Sequence, residues 1–105
     1  MEIIITNKAR NDLYNFFYKS KGNTSNYVLN YIKEVIDYID TIRQSPLIGK
    51  AIYIKKKQMF RQLIYRKHKI IYIILNNKIY ILRIIHSARN FNLKSNLNLN
   101  DYPEI

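Results

Sequence analysis

Residues 60–90 read FRQLIYRKHKIIYIILNNKIYILRIIHSARN, and the fold turns on this stretch. Three strand signals follow one another in it. Alternation sets Arg61, Leu63 and Tyr65 on one face of the first strand and Ile64 and Arg66 on the other. Ile70–Leu75 and Ile79–Ile85 are almost unbroken β-branched and aliphatic runs, which places them at the centre of a sheet. Asn76-Asn77 between them supplies two residues that tolerate positive φ, as a tight hairpin with a primed turn requires. The rest of the chain must cover this sheet or extend it.

Working outward, Glu2–Ile5 is a short β-branched run that pairs into the same sheet. Thr6 or Asn7 caps a helix over Lys8–Lys19, with Ala9, Leu13, Phe16 and Phe17 inward and Lys8, Arg10, Asn11 and Asp12 on the wet side. Lys21-Gly22-Asn23 stops it, and Thr24 or Ser25 caps a second helix. There Val28, Ile32, Val35, Ile36, Ile39 and Ile42 form an apolar stripe, ended by Gln44-Ser45-Pro46. Leu47–Lys50 turns the chain into a strand over Ala51–Ile54, and the run Lys55-Lys56-Lys57 reads as a solvated edge strand. The expected architecture is α+β: a strand, a helical hairpin, then a four-stranded antiparallel meander, with both helices on one face of the sheet (β-α-α-β-β-β-β).

Residues 1–105 are the right length for a single domain with one core. Two helices cover only one face of such a sheet, yet its central strands are apolar on both. Either the tail, residues 91–105, a loop or weak helix carrying Phe91, Leu93, Leu97 and Leu99, folds over the second face, or a protein partner does.

Charge is distributed unevenly along the chain. Met1–Asp40 holds five acids and five bases, whereas Thr41–Asn100 holds thirteen Lys and Arg and no acid, so the sheet half carries the whole excess behind a net charge of +11. Such a field attracts polyanions or an acidic protein. Ile, Asn, Lys and Tyr make up 55 of 105 residues, which is the stamp of an A/T-rich genome and discounts the lysines. The arginines resist that discount. Four of six, Arg61, Arg66, Arg83 and Arg89, fall in the organising stretch, where a guanidinium fork recognises phosphate or carboxylate in a way Lys does not. Cysteine is absent, and His68 and His86 have no acids around them in sequence, so no metal constellation is expected and no cofactor is called for. No apolar run spans a bilayer or forms a signal-peptide core, and the chain reads as a cytoplasmic protein with no membrane partner.

A set of short motifs then falls into one order: Ala9 and Asp12-Leu13 early in the first helix, Pro46-Leu47-Ile48-Gly49 after the second, Arg61, Ile70-Ile71-Tyr72, and Leu82-Arg83-Ile84-Ile85-His86-Ser87-Ala88-Arg89 at the close. Over residues 1 to about 91 this resembles the RelE/ParE superfamily of bacterial toxins, and the ending His-Ser-Ala-Arg is similar to its ParE-like, plasmid-stabilisation branch. The resemblance implies a growth-inhibiting toxin of a type II toxin–antitoxin system, neutralised by a cognate antitoxin that wraps the sheet.

Two mechanisms diverge within that superfamily. ParE-like members resemble inhibitors that bind DNA gyrase, for which Arg61, Arg66, Arg83 and Arg89 are the target-binding candidates. RelE-like members resemble ribosome-dependent endoribonucleases acting on mRNA, a reaction needing a proton acceptor, a proton donor and cations for developing charge. His86, Arg89 and Lys69 are the catalytic candidates in that case. The tyrosine or carboxylate such enzymes carry shortly after the closing arginine has no counterpart among Phe91-Asn92-Leu93-Lys94-Ser95, which favours the binding branch. Ordinary structural roles stand beside these: His86 as a hydrogen-bonded strand end, and Arg89 paired with Glu2, Asp12 or the C-terminal carboxylate.

Overall fold

The computed structural model describes residues 1–20 and 25–105. Strand β1 (Glu2–Ile5) is followed by helices α1 (Asn7–Lys19) and α2 (Ser25–Asp40), and Thr41–Arg43 continues α2 as a 3-10 turn. Strands β2 (Lys50–Lys55), β3 (Gln58–Tyr65), β4 (His68–Leu75) and β5 (Lys78–His86) complete one sheet in the order β1-β5-β4-β3-β2. β2 to β5 form the expected antiparallel meander, whereas β1 lies parallel to β5 at the far edge, so the sheet is mixed. The long excursion between β1 and β5 is what permits a parallel pairing, which no tight turn can make.

Thr6 starts α1. Its backbone is extended, and its hydroxyl accepts from the Ala9 amide at 3.3 Å while donating to the Ile81 carbonyl at 2.7 Å, so one side chain both caps the helix and ties it to β5. The stop expected at Lys21-Gly22-Asn23 and the alternative cap at Thr24 lie outside the described residues. Ala9, Leu13, Tyr31, Val35, Ile39 and Ile42 from the helical side pack on Ile70, Tyr72, Ile79, Ile81 and Ile84 of the sheet. Ile36, placed in the inward stripe by periodicity, is 40% exposed because the stripe is wider than the sheet surface beneath it.

The second face is covered by the tail. Leu97 and Tyr102 are buried against Phe60, Ile71, Ile73, Tyr80, Leu82 and Ile85, with Phe91, Leu93 and Leu99 packed around them. A short helix α3 (Leu93–Asn96) and a 3-10 turn at Leu99–Asp101 shape this segment. Burial pushes the Tyr102 phenol up to about 12, so the hydroxyl stays protonated and donates to the Leu82 carbonyl at 3.2 Å. The Glu104 carboxylate accepts from the Asn7 amide at the start of α1, which pins the end of the chain.

All three hairpin turns use positive φ: Asn76 and Asn77 as expected, but also Lys56 and Lys57 (50° and 65°) and Arg66 (48°). Lys56 and Lys57 are therefore the β2–β3 turn and not part of an edge strand; only Lys55 remains in β2. Lysine side chains at two left-handed positions are strained, at about 1 kcal/mol or more each. Replacing Lys56-Lys57 by Asn-Gly is expected to raise stability by about 1 kcal/mol, read as a higher midpoint in urea; an unchanged midpoint would show that the turn carries no such strain.

Candidate functional site

β1 is shorter than β5, and that mismatch makes the site. β1 pairs only with Lys78–Ile81, so the backbone of β5 beyond Ile81 has no neighbouring strand on that side. Side chains take over its hydrogen bonds: Thr6 on the Ile81 carbonyl, Tyr102 on the Leu82 carbonyl, and the Asp12 carboxylate on the Ile84 amide at 2.9 Å. Asp12 also holds Arg83 in a two-pronged pair at 2.8 and 2.9 Å. The sequence reading put Asp12 on the wet side of α1, but only 10% of its side chain is exposed, because the bare edge of β5 supplies donors that outweigh water.

A bulge sits just before this point. Ile71 pairs with Arg83 and Tyr72 with Ile81, leaving Leu82 unopposed. Leu82 and Ile85 consequently face the tail while Ile81 and Ile84 face the helices. Strict alternation would have driven Arg83 into the helix-side core; the bulge turns it out, beside Asp12 and 5.2 Å from the Phe91 ring centre.

His86 emerges on the helix side, directly opposite His68 on β4, with the two rings 5.7 Å apart. His68 is buried, its Nδ1 2.7 Å from the Tyr31 hydroxyl and its ring edge-on to Phe16. Burial, then the neighbouring His86, holds the His68 imidazole below its usual range, so it is neutral near pH 7. His86 Nδ1 accepts from the Ala88 amide at 3.1 Å, which puts the proton of the neutral ring on Nε2. Together with Asn15, Lys19, Ser20 and Arg89, the two histidines line a cleft of about 330 Å³ between the end of α1 and the end of β5.

The six candidate positions divide among different places. His86 and Arg89 meet in the cleft. Lys69 pairs with Ile64 and Ile85, both outside the helix-side core, so it lies on the opposite face from His68 and His86. Arg83 is committed to Asp12. Arg61 donates to the carbonyls of Leu47 and Gly49 at 3.3 and 2.8 Å and braces the loop after α2. Arg66 leaves the strand at its positive-φ turn and reaches Glu34 of α2 at 3.7 Å, which corrects the expectation that it faces away from Arg61. The ion pair suggested between Arg89 and Glu2 or Asp12 does not form: Glu2 meets Lys78 and Asp12 meets Arg83. Asn15 and Lys19 were missed in sequence; their spacing from Asp12 along α1, three and seven residues, was the available signal.

Among the described residues, no group of three His, Cys, Asp or Glu could hold a metal ion, and no helix is long and apolar enough to cross a membrane. A model of the family described as ParE toxin of type II toxin-antitoxin system, parDE, matches residues 3–91. The chain belongs to the ParE toxin family. No curated protein matches it.

For a ParE-family toxin the order of elements and the site now fit together. The matched span runs from β1 to Phe91, the residue under the Arg83 guanidinium, and therefore includes the whole cleft. The tail that covers the second sheet face lies outside that span. Membership in a type II system gives the toxin an antitoxin as partner. Of the two coverings weighed for the second sheet face, the tail is the one found; exposed apolar side chains, each more than a third exposed, stand instead at Leu47, Ile48 and Ile54 along β2 and its approach and at Met59, opposite Ile54 on β3.

Proposed function

We propose that this ParE-family toxin arrests growth by binding DNA gyrase and that it does so without chemistry of its own. One observation carries the reading: the groups that an endoribonuclease would draw on are not gathered in one place. Lys69 and His86 occupy opposite faces of the sheet, and Arg83 is tied to Asp12. His86 alone remains beside Arg89, and the Ala88 amide on its Nδ1 makes the neutral ring a donor at Nε2 where a base would be required. A positioned proton-transfer group is worth roughly 10^2 to 10^4 in rate, and here it has no partner to relay to.

Expression of the chain alone is expected to arrest a bacterial host, with plasmid supercoiling lost and messages intact, and co-expression with its antitoxin to restore growth. His86→Gln is expected still to arrest growth, since glutamine keeps an N–H donor and no proton has to move. Cleaved transcripts in the arrested cells, or a stable His86→Gln protein that is harmless, would point instead to a ribosome-dependent cut of mRNA.

A further inference from the structure

The cleft at the open end of β5 has donors and almost no acceptors to spend them on. Lys19 and Arg89 stand at its mouth and make no ion pair among the described residues. Asp12, the one carboxylate on its wall, is already saturated by Arg83 and the Ile84 amide. His86 Nε2–H adds a third donor, because Nδ1 is taken by Ala88. Phe16, Ile84 and Ile85 supply the apolar part of the lining. We propose that this cleft binds a single carboxylate side chain, an Asp or Glu flanked by an apolar residue, presented by a protein partner of the toxin. The proposal rests on the reading of this protein as a binder and gives that reading its contact chemistry.

Two features favour an acidic peptide over a nucleic acid strand. The cleft, about 330 Å³, has room for a few side chains and one or two anionic groups. A strand needs a track of cations, with several phosphates neutralised along it, and stacking aromatics. Among the described residues no such track leads away from this site: Arg61, Arg66 and Arg83 are engaged by carbonyls or carboxylates, and Lys55, Lys56 and Lys57 sit at the opposite end of β3.

The surroundings of the histidine pair are basic. Around it stand Asp12 and Lys19 of α1, Tyr31 of α2, Lys67 in the β3–β4 turn with the Arg66–Glu34 pair behind, and Arg89 after β5. Positive neighbours outnumber the single engaged carboxylate, so the cleft favours an entering anion.

The test is an NMR titration of the isotopically labelled full chain with a capped Leu-Glu-Leu tripeptide, its Leu-Gln-Leu counterpart, and a uridine hexanucleotide. The acidic peptide is expected to move the signals of Lys19, His86 and Arg89, and the neutral one to bind at least about tenfold more weakly. Arg89→Ala is expected to weaken the acidic peptide about tenfold, with its unfolding midpoint confirming that the variant folds. Equal binding of the two peptides, or no movement of these signals at millimolar peptide, would overturn the site. So would a hexanucleotide that moves the same signals at lower concentration. The supercoiling assay stands apart: a chain that takes the acidic peptide but spares supercoiling keeps this site and loses gyrase as target, and the reverse result loses the site alone.

Discussion

Asp12→Ala is expected to destabilise the fold by about 3–5 kcal/mol, the largest effect of any single substitution considered. The carboxylate sits where β1 has ended and β5 has not, and it serves three donors at once: Nε and a terminal nitrogen of Arg83 and the backbone amide of Ile84. Arg83 and Asp12 are only 16% and 10% exposed, so removing the acid leaves a guanidinium and a backbone N–H with little water to replace it. Asp12→Asn keeps one acceptor and turns an amide NH2 toward Arg83, and is expected to fall between wild type and alanine. Because the penalty comes from the charge left behind, Arg83→Met on the Asp12→Leu background should recover much of the loss. Urea unfolding of six proteins, with Arg83→Met alone among them, measures this. Additive losses in the double variant would mean that the two residues act separately and that the pair is not what closes this edge.

Gly49→Ala is expected to cost about 3 kcal/mol and roughly 10–20 °C in Tm. A Cβ on residue 49 would lie 2.6 Å from Cε1 and from the hydroxyl of Tyr72, a ring that is fully buried and has nowhere to go. The clash falls on a network. The Gly49 amide donates to the Tyr72 hydroxyl at 2.8 Å, that hydroxyl donates to the Pro46 carbonyl at 2.7 Å, and Arg61 donates to the Gly49 carbonyl. Moving either the ring or the loop breaks at least one of these bonds, each worth about 1 kcal/mol, on top of overpacking at about 1–3 kcal/mol. Tyr72→Phe removes the two bonds at its hydroxyl without the clash and is expected to cost less than Gly49→Ala. If the two cost the same, the hydrogen bonds and not the close approach explain the glycine. Thermal unfolding of each variant separates the cases.

Arg61 illustrates how far residue type alone can carry a functional reading. An arginine opening a central strand is as good a phosphate fork as any, and its identity and approximate face were readable from alternation. What occupies it, the carbonyls of Leu47 and Gly49, comes from a loop twelve or more residues earlier and leaves no trace in the period of the strand. The pairing of Arg83 was illegible for a related reason. Its partner is 71 positions away on α1, and the bulge at Leu82 that turns it outward depends on how β5 is shared between β4 on one side and β1 and α1 on the other. Lys69 and His86, grouped by chemistry, are separated by nothing more than the pleat, once the register between β4 and β5 pairs His68 with His86.

Local patterns alone determined the strands from Ile70 to Leu75 and Ile79 to Ile85, the Asn76-Asn77 turn, both long helices with the first starting at Thr6 or Asn7, and the acid-free basic half of the chain. Each of these rests on side-chain period, turn chemistry or composition, forces that act within a few residues and so are written in consecutive letters. Tertiary structure decided the parallel seat of β1, the burial of Asp12, the folding of the tail over the second sheet face, and the meeting of Lys19, His68, His86 and Arg89 in one cleft. Those depend on which backbone donors and apolar surfaces are left over once the sheet has formed, a remainder that exists only in three dimensions.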